Sequence, residues 1–160
     1  MNFYQKTAKG YNELHGEEQR YKTNLIKSIL KVKKNELLLD IGCASGISSD
    51  FPCKTVGIDP IFDLLKQNKN AFAIQSIGEK LPFKDKSFDI VVSVTSLHNF
   101  SDIQEGVGEI KRVGKRDFVF SVLKRSKFFA EIEKEMRKNF KIWKKIDGNQ
   151  DWIFFCTDSQ

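Results

Sequence analysis

Hydrophobic residues along this 160-residue chain fall into two kinds of pattern. Near-continuous apolar runs occur at Leu37–Ile41, Thr55–Ile58, Phe88–Val94 and Phe118–Leu123. Runs of that kind predict strands covered on both faces, as in a parallel sheet. Elsewhere the apolar positions recur at helical spacing. Tyr21, Leu25, Ile26, Ile29 and Leu30 predict an amphipathic helix over residues 17–31. Ile103, Val107 and Ile110 predict a helix capped by Ser101, and Phe128, Ile132 and Met136 one capped by Ser126. Gly106 and Gly108 weaken the first of these, so close packing or fraying is expected there.

Shorter pieces fill the gaps. Ser45 to Phe51 leaves space for about two helical turns. Pro60 suits the first turn of a helix carrying Phe62, Leu64 and Leu65, and Phe72–Gln75 reads as a short strand. Tyr4 to His15 reads as a less regular arm or short helix. At the other end, Phe140–Ile146 and Trp152–Thr157 flank Asp147-Gly148-Asn149, a hairpin signal. The elements predict a three-layer α/β domain, its mostly parallel sheet closed by an antiparallel terminal hairpin.

The length suits one domain: an arm and helix over 1–33, a core over 34–123, and a basic helix with the hairpin over 124–160. The N-terminus lacks an apolar core segment and no run approaches the ~18 apolar residues of a membrane span, so neither a signal peptide nor a membrane segment is expected. Cys43, Cys53 and Cys156 form no CxxC pair and no disulfide framework; a reducing cytoplasm is the expected compartment, and no metal is called for. Residues 111–145 hold thirteen Lys or Arg and four acids, a net of +9 against +6 for the whole chain. That excess describes either a solvated surface or an electropositive face for RNA or another polyanion.

One stretch carries chemistry. Asp40 closes the first apolar run, and Gly42 and Gly46 open the turn that follows, Gly42-Cys43-Ala44-Ser45-Gly46. Thirteen residues on, a second run ends in Asp59. A strand, a glycine loop and a strand ending in an acid form the front of a nucleoside-binding βαβ unit. The loop admits a ligand close to the backbone, and the second acid can accept both ribose hydroxyls. An adenosine-containing cofactor suits that geometry. A dinucleotide-binding domain would instead show G-x-G-x-x-G, whereas this loop reads G-x-x-x-G with Ala44 at the place of a middle glycine.

Four ordered motifs extend the match: Leu39–Gly46, Val56-Gly57-Ile58-Asp59-Pro60, Glu79-Lys80-Leu81-Pro82-Phe83, and Ser87–Val92, followed by Leu97-His98-Asn99-Phe100. Over roughly residues 4–123 the chain resembles the class I S-adenosylmethionine-dependent methyltransferases, in the branch similar to those of ubiquinone and menaquinone biosynthesis. The resemblance implies a Rossmann-like methyltransferase fold with the last strand antiparallel between the fifth and sixth. It also implies S-adenosylmethionine as cofactor, held by Asp40, Gly42, Cys43, Ala44, Gly46, Asp59, Pro60, Ile77, Gly78 and Ser93. Asp40 would reach the cofactor's amino group or hold the loop, while Cys43 fills space. Two departures stand out. Ile77 occupies the position of an acid that bonds the adenine amino group, leaving Ser76, a backbone carbonyl or packing to hold the base. The helices that commonly lid the substrate pocket are absent, so the N-terminal arm or a partner protein would complete an open acceptor side.

The sulfonium methyl is already activated, so the enzyme's task is positioning and, where needed, proton removal. His98 is the residue after the fourth strand able to take a proton near neutral pH, and so the candidate base; a hydrogen-bonding helix-start residue is its bland role. Ser93-Val94-Thr95-Ser96 is not the Asn/Asp-Pro-Pro-aromatic tetrad that would cradle an exocyclic amine. Pro52-Cys53 lies before the second strand, remote from the methyl. Two acceptor classes stand: a small metabolite, or RNA through the basic residues of 111–145. A cofactor-binding subunit of a larger complex is the non-enzymatic alternative.

Overall fold

Strand residues of alternating orientation build two cores, one on each side of a single sheet. In the computed structural model, which describes residues 10–159, the strands are β1 (Leu37–Ile41), β2 (Lys54–Asp59), β3 (Phe72–Gln75), β4 (Phe88–Val94), β5 (Gly114–Leu123), β6 (Phe140–Gly148) and β7 (Asp151–Asp158). The helices are α1 (Tyr11–Ile29), α2 (Phe62–Leu65), α3 (Ile103–Val113) and α4 (Phe129–Asn139), with 3-10 turns at Ile47–Ser49 and Leu97–Asn99. The sheet order is β3-β2-β1-β4-β5-β7-β6; β7 lies antiparallel between β5 and β6, and the inner strands run parallel.

Period-2 alternation decides what packs where. Leu39, Val91, Phe118, Phe120 and Phe154 point to one face, where Val107 and Ile110 of α3 and Ile132 and Met136 of α4 cover them. Leu38, Ile90, Val92, Val119 and Phe155 point to the other, against Ile26 of α1 and Leu30. Each such fully buried side chain contributes about 1.5–3 kcal/mol of transfer free energy. The coverage stops at β3, all four of whose residues are exposed.

Several local readings shift. The first helix begins at Tyr11 rather than residue 17, and the part of the expected arm at 4–9 lies outside the described residues. Helix α3 begins at Ile103 and is capped by Asp102, whose carboxylate accepts the Glu105 N–H over 2.9 Å; Ser101 lies one residue too early to serve. Ser126 accepts the Phe128 N–H in a turn that precedes α4 rather than capping it. Ser45 to Phe51 holds one 3-10 turn, not two helical ones. In the hairpin, Gly148 ends the strand and the loop is Asn149-Gln150, with Asn149 at φ 73°. Gly106 reads as close packing: a Cβ there would overlap the Phe100 ring, whereas one on Gly108 meets open space.

Candidate functional site

The tips of β1, β2 and β4 part where the strand order reverses, the usual place for a ligand crevice in an open α/β sheet. A cleft of about 290 Å³ opens there, near the low end of the roughly 300–1,000 Å³ of small-molecule sites. Ile58, Pro60, Ile61 and Leu64 form an apolar wall on the β2 side, and Phe100 and Ile77 face it. Gly42, Ala44, Asp59, Gly78 and Glu79 also line it, with Val94, Thr95, Ser96 and Asn99 at the β4 end.

The glycine loop takes its shape from left-handed residues: Gly42 at φ 75°, Ala44 at 46° and Gly46 at 91°. A Cβ on Gly42 would overlap the side chain of Ser96, so glycine is needed both for conformation and for space. The Gly42 and Cys43 amides both donate to the Ile58 carbonyl, at 2.8 and 2.9 Å, which fastens the loop to β2.

Asp59, at the end of β2, is nearly buried. Its Oδ2 accepts the Ala44 N–H at 3.1 Å and its Oδ1 the Ile61 N–H at 2.8 Å. A carboxylate oxygen has two lone pairs, so each keeps one acceptor site after these bonds. Burial raises the Asp59 pKa, opposed by the two backbone N–H bonds. The result is an oriented diol acceptor beside an apolar slot, which fits the ribose and base of a nucleoside.

Asp40 is not on the cleft wall. It is fully buried beneath the loop, where Oδ2 accepts Ser48 Oγ at 2.7 Å and Ser49 Oγ at 2.6 Å. It therefore holds the turn after the loop through hydroxyls rather than loop amides, and its Oδ1 is buried without a protein partner. Burial, then repulsion from Asp59, raises its pKa to about 6 against the two serine bonds.

Of the other residues expected to hold cofactor, Gly42, Ala44, Pro60, Ile77 and Gly78 line the cleft, and Cys43, Gly46 and Ser93 do not. Cys43 is buried against Gly57, and burial pushes its thiol pKa far up, so it fills space and carries no thiolate. Gly46 is covered by the Asn68 side chain, and its carbonyl accepts Asn70 Nδ2 at 2.9 Å. Ser93 points into the sheet, where its hydroxyl pairs with Ser96, which in turn donates to the Ile41 carbonyl at 2.9 Å. His98 also stands off the wall: it is half-buried, near Asp151 and Lys22, and burial lowers its pKa below the ordinary value.

Some cleft residues stood in the quoted stretches without a role of their own in the site. Thr95 is β-branched yet sits at φ 55°, a strained conformation of the kind that clusters at functional sites. Glu79 uses its carboxylate on the Ser101 and Asp102 N–H groups at the start of α3. Phe100 lies across Gly78 and Gly106, at both of which a Cβ would strike its ring.

The model of a methyltransferase domain family matches residues 39–122. An uncharacterised protein of Methanocaldococcus jannaschii is 30% identical over 146 residues, 87% of this chain and 57% of that protein. The human probable tRNA methyltransferase 9B is 27% identical over 119 residues, 71% of this chain and 25% of that protein. The chain thus spans little more than half of one relative and a quarter of the other. In fold it is similar to a chain in the complex of the Haloferax volcanii Trm112 methyltransferase activator with its methyltransferase, at a TM-score of 0.82 and 13% identity, covering 99% of this chain and 98% of that one. More than half of the sequence falls within the family model, and the last strand lies antiparallel between β5 and β6, as the resemblance implied. The chain belongs to the methyltransferase domain family.

Proposed function

We propose that this domain binds S-adenosylmethionine in the strand-tip cleft and transfers its methyl to a small metabolite entering from the β4 end. The observation that carries the reading is Asp59, whose two oxygens each keep an acceptor site on the cleft wall. In this reading Asp59 takes the ribose hydroxyls, and Pro60, Ile61, Leu64 and Ile77 sandwich the adenine. Ser76 Oγ donates to the Lys80 carbonyl at 3.1 Å, which leaves its lone pairs for the adenine amino group. Gly42 and Ala44 meet the amino-acid end, and the buried charge of Asp40 lies behind them to favour its ammonium. The cofactor supplies an activated sulfonium methyl; the chain's residues orient it and exclude water. His98, neutral because burial lowers its pKa, is the group beyond the wall that takes a proton from an acceptor needing to lose one.

A small acceptor is supported by where the basic charge goes. Eight of the thirteen Lys and Arg of residues 111–145 face a carboxylate within 4 Å: Lys111, Arg112, Lys115, Arg116, Lys124, Arg137, Lys138 and Lys145. That pairing dilutes the electropositive face a polyanion would need. The second reading, an RNA acceptor, is favoured by the relative named as a tRNA methyltransferase. A partner protein belongs to either reading, since a neighbour in fold was solved with an activator. No helix among the described residues is long and apolar enough to cross a membrane, and the three cysteines are free, in keeping with the cytoplasm. A tritiated-methyl assay on fractionated cell extract tests the acceptor: label in the small-molecule fraction is expected, and label confined to RNA would replace the first reading by the second.

A further inference from the structure

The sheet has two free edges, and they are built differently. Edge strand β6 carries exposed Lys141, Lys144 and Lys145 and a register shift between Ile142 and Lys144. Charges and a bulge are what proteins use to keep an edge from pairing. Edge strand β3 has neither. Phe72 is 66% exposed and Ile74 38%, its register with β2 is regular, and Phe62 (57%) and Ile77 (49%) extend the apolar surface on either side. The cause is architectural: α2 has four residues, and no helix lies between β3 and β4, so neither layer reaches this edge.

The rim is basic. Lys54 Nζ lies 5.3 Å from the Phe72 ring centre and Lys66 Nζ 5.3 Å from that of Phe62. Lys69 and Lys80 are exposed in the loops entering and leaving the strand, and Asp63, paired with Lys66, is the exposed acid beside them. A second copy of this chain pairing β3 to β3 would bring both sets of lysines together, which like-charge repulsion opposes. An acidic strand with apolar residues at alternate positions meets both features. Its backbone takes the unpaired ladder groups, its apolar side chains cover Phe72 and Ile74, and its carboxylates face the lysines.

We infer that β3 is the docking edge for an acidic partner protein that adds a strand to this sheet. The inference rests on the methyltransferase reading only in giving the partner a purpose. The strand runs directly into Ser76 and Ile77, which line the cleft, and the Gln75 side chain donates to the Pro60 carbonyl at 2.9 Å. A partner seated on β3 therefore borders the proposed adenine wall.

The test uses the full chain and two end-capped ten-residue peptides, one alternating Val with Glu and one Val with Lys. Fluorescence anisotropy is expected to give the Glu peptide at least tenfold tighter binding than the Lys peptide. Hydrogen exchange is expected to slow at least tenfold in β3 when it binds. Phe72→Glu, at an exposed site that tolerates it, is expected to cut affinity at least tenfold, and Lys141→Glu on β6 to leave it within twofold. Absent or equal binding of the two peptides, or protection at β6 instead, overturns the inference. A dimer in light scattering that Phe72→Glu dissolves overturns it in favour of a second copy. S-adenosylhomocysteine binding, measured on the same samples, separates the two readings: its presence without peptide binding sinks the edge alone, and its absence with peptide binding sinks the cofactor site alone.

Discussion

Lys22 Nζ lies 2.7 Å from Thr95 Oγ1, a bond that ties α1 to the residue just past β4, on the cleft wall. Both groups are held again by Asp151, which is fully buried. It faces Lys22 at 3.3 Å and accepts Thr95 Oγ1 at 2.7 Å. Lys22 is itself buried, with Glu18 as a further partner at 3.3 Å. This buried pair fixes α1 to the β4 end of the cleft and holds Thr95 in its strained conformation.

Breaking such a pair from one side strands a charge. Lys22→Met is expected to cost about 3–5 kcal/mol in urea unfolding. The double variant Lys22→Met/Asp151→Asn should recover a large part of that loss. A single-variant cost below about 1 kcal/mol would show that the pair does not hold α1.

The two glycines of α3 should respond with opposite sign. Gly108→Ala, into open space, is expected to stabilise by up to about 1 kcal/mol through helix propensity. Gly106→Ala gains the same propensity but drives a methyl into the Phe100 ring, and overpacking of about 1–3 kcal/mol should win. Thermal melts of the two variants decide it, and a shift of equal sign would contradict the packing.

Asp40 gives a pH signature. Its folded pKa of about 6 lies above the unfolded value near 4, so the fold favours the protonated acid and its ionisation lowers stability. The sign follows: wild type should lose stability relative to Asp40→Asn as pH rises from about 4 to 6, by roughly 2–3 kcal/mol, and hold that gap above pH 6. Urea unfolding at half-unit steps measures it, and parallel curves would refute it.

Much of this was legible in the chain, for a physical reason. A strand buried on both faces has to read as a continuous apolar run, so β1, β4 and β5 announced themselves, and the hairpin's antiparallel pairing followed from a turn signal displaced by only one or two residues. Site residues were legible where the backbone itself meets the cleft, as at Gly42 and Pro60. They were not where a side chain's direction decides. Ser93 and Ser96 share a hydrogen bond, yet of the two Ser96, past the end of β4, lines the cleft, a difference that no local pattern marks. Lys22 lay one turn before Ile26 on the buried stripe of α1, but nothing local distinguishes a lysine paired to a residue 129 positions away from a solvated one.

His98 separates binding from turnover. His98→Ala is expected to leave S-adenosylhomocysteine affinity within twofold and to remove the low-pH limb of the rate profile. That limb should lie below pH 6.5 in wild type, since burial lowers the imidazole pKa. Unchanged turnover and profile would remove His98 from the reaction.

The central claim is that the Asp59 carboxylate and the slot beside it form the nucleoside site. Calorimetry of S-adenosylhomocysteine with wild type and Asp59→Ala tests it most directly. One-site binding by wild type is expected, weakened in the variant by roughly 1–3 kcal/mol for one lost charge-assisted contact. No binding by wild type, or equal affinity in both folded proteins, would contradict it.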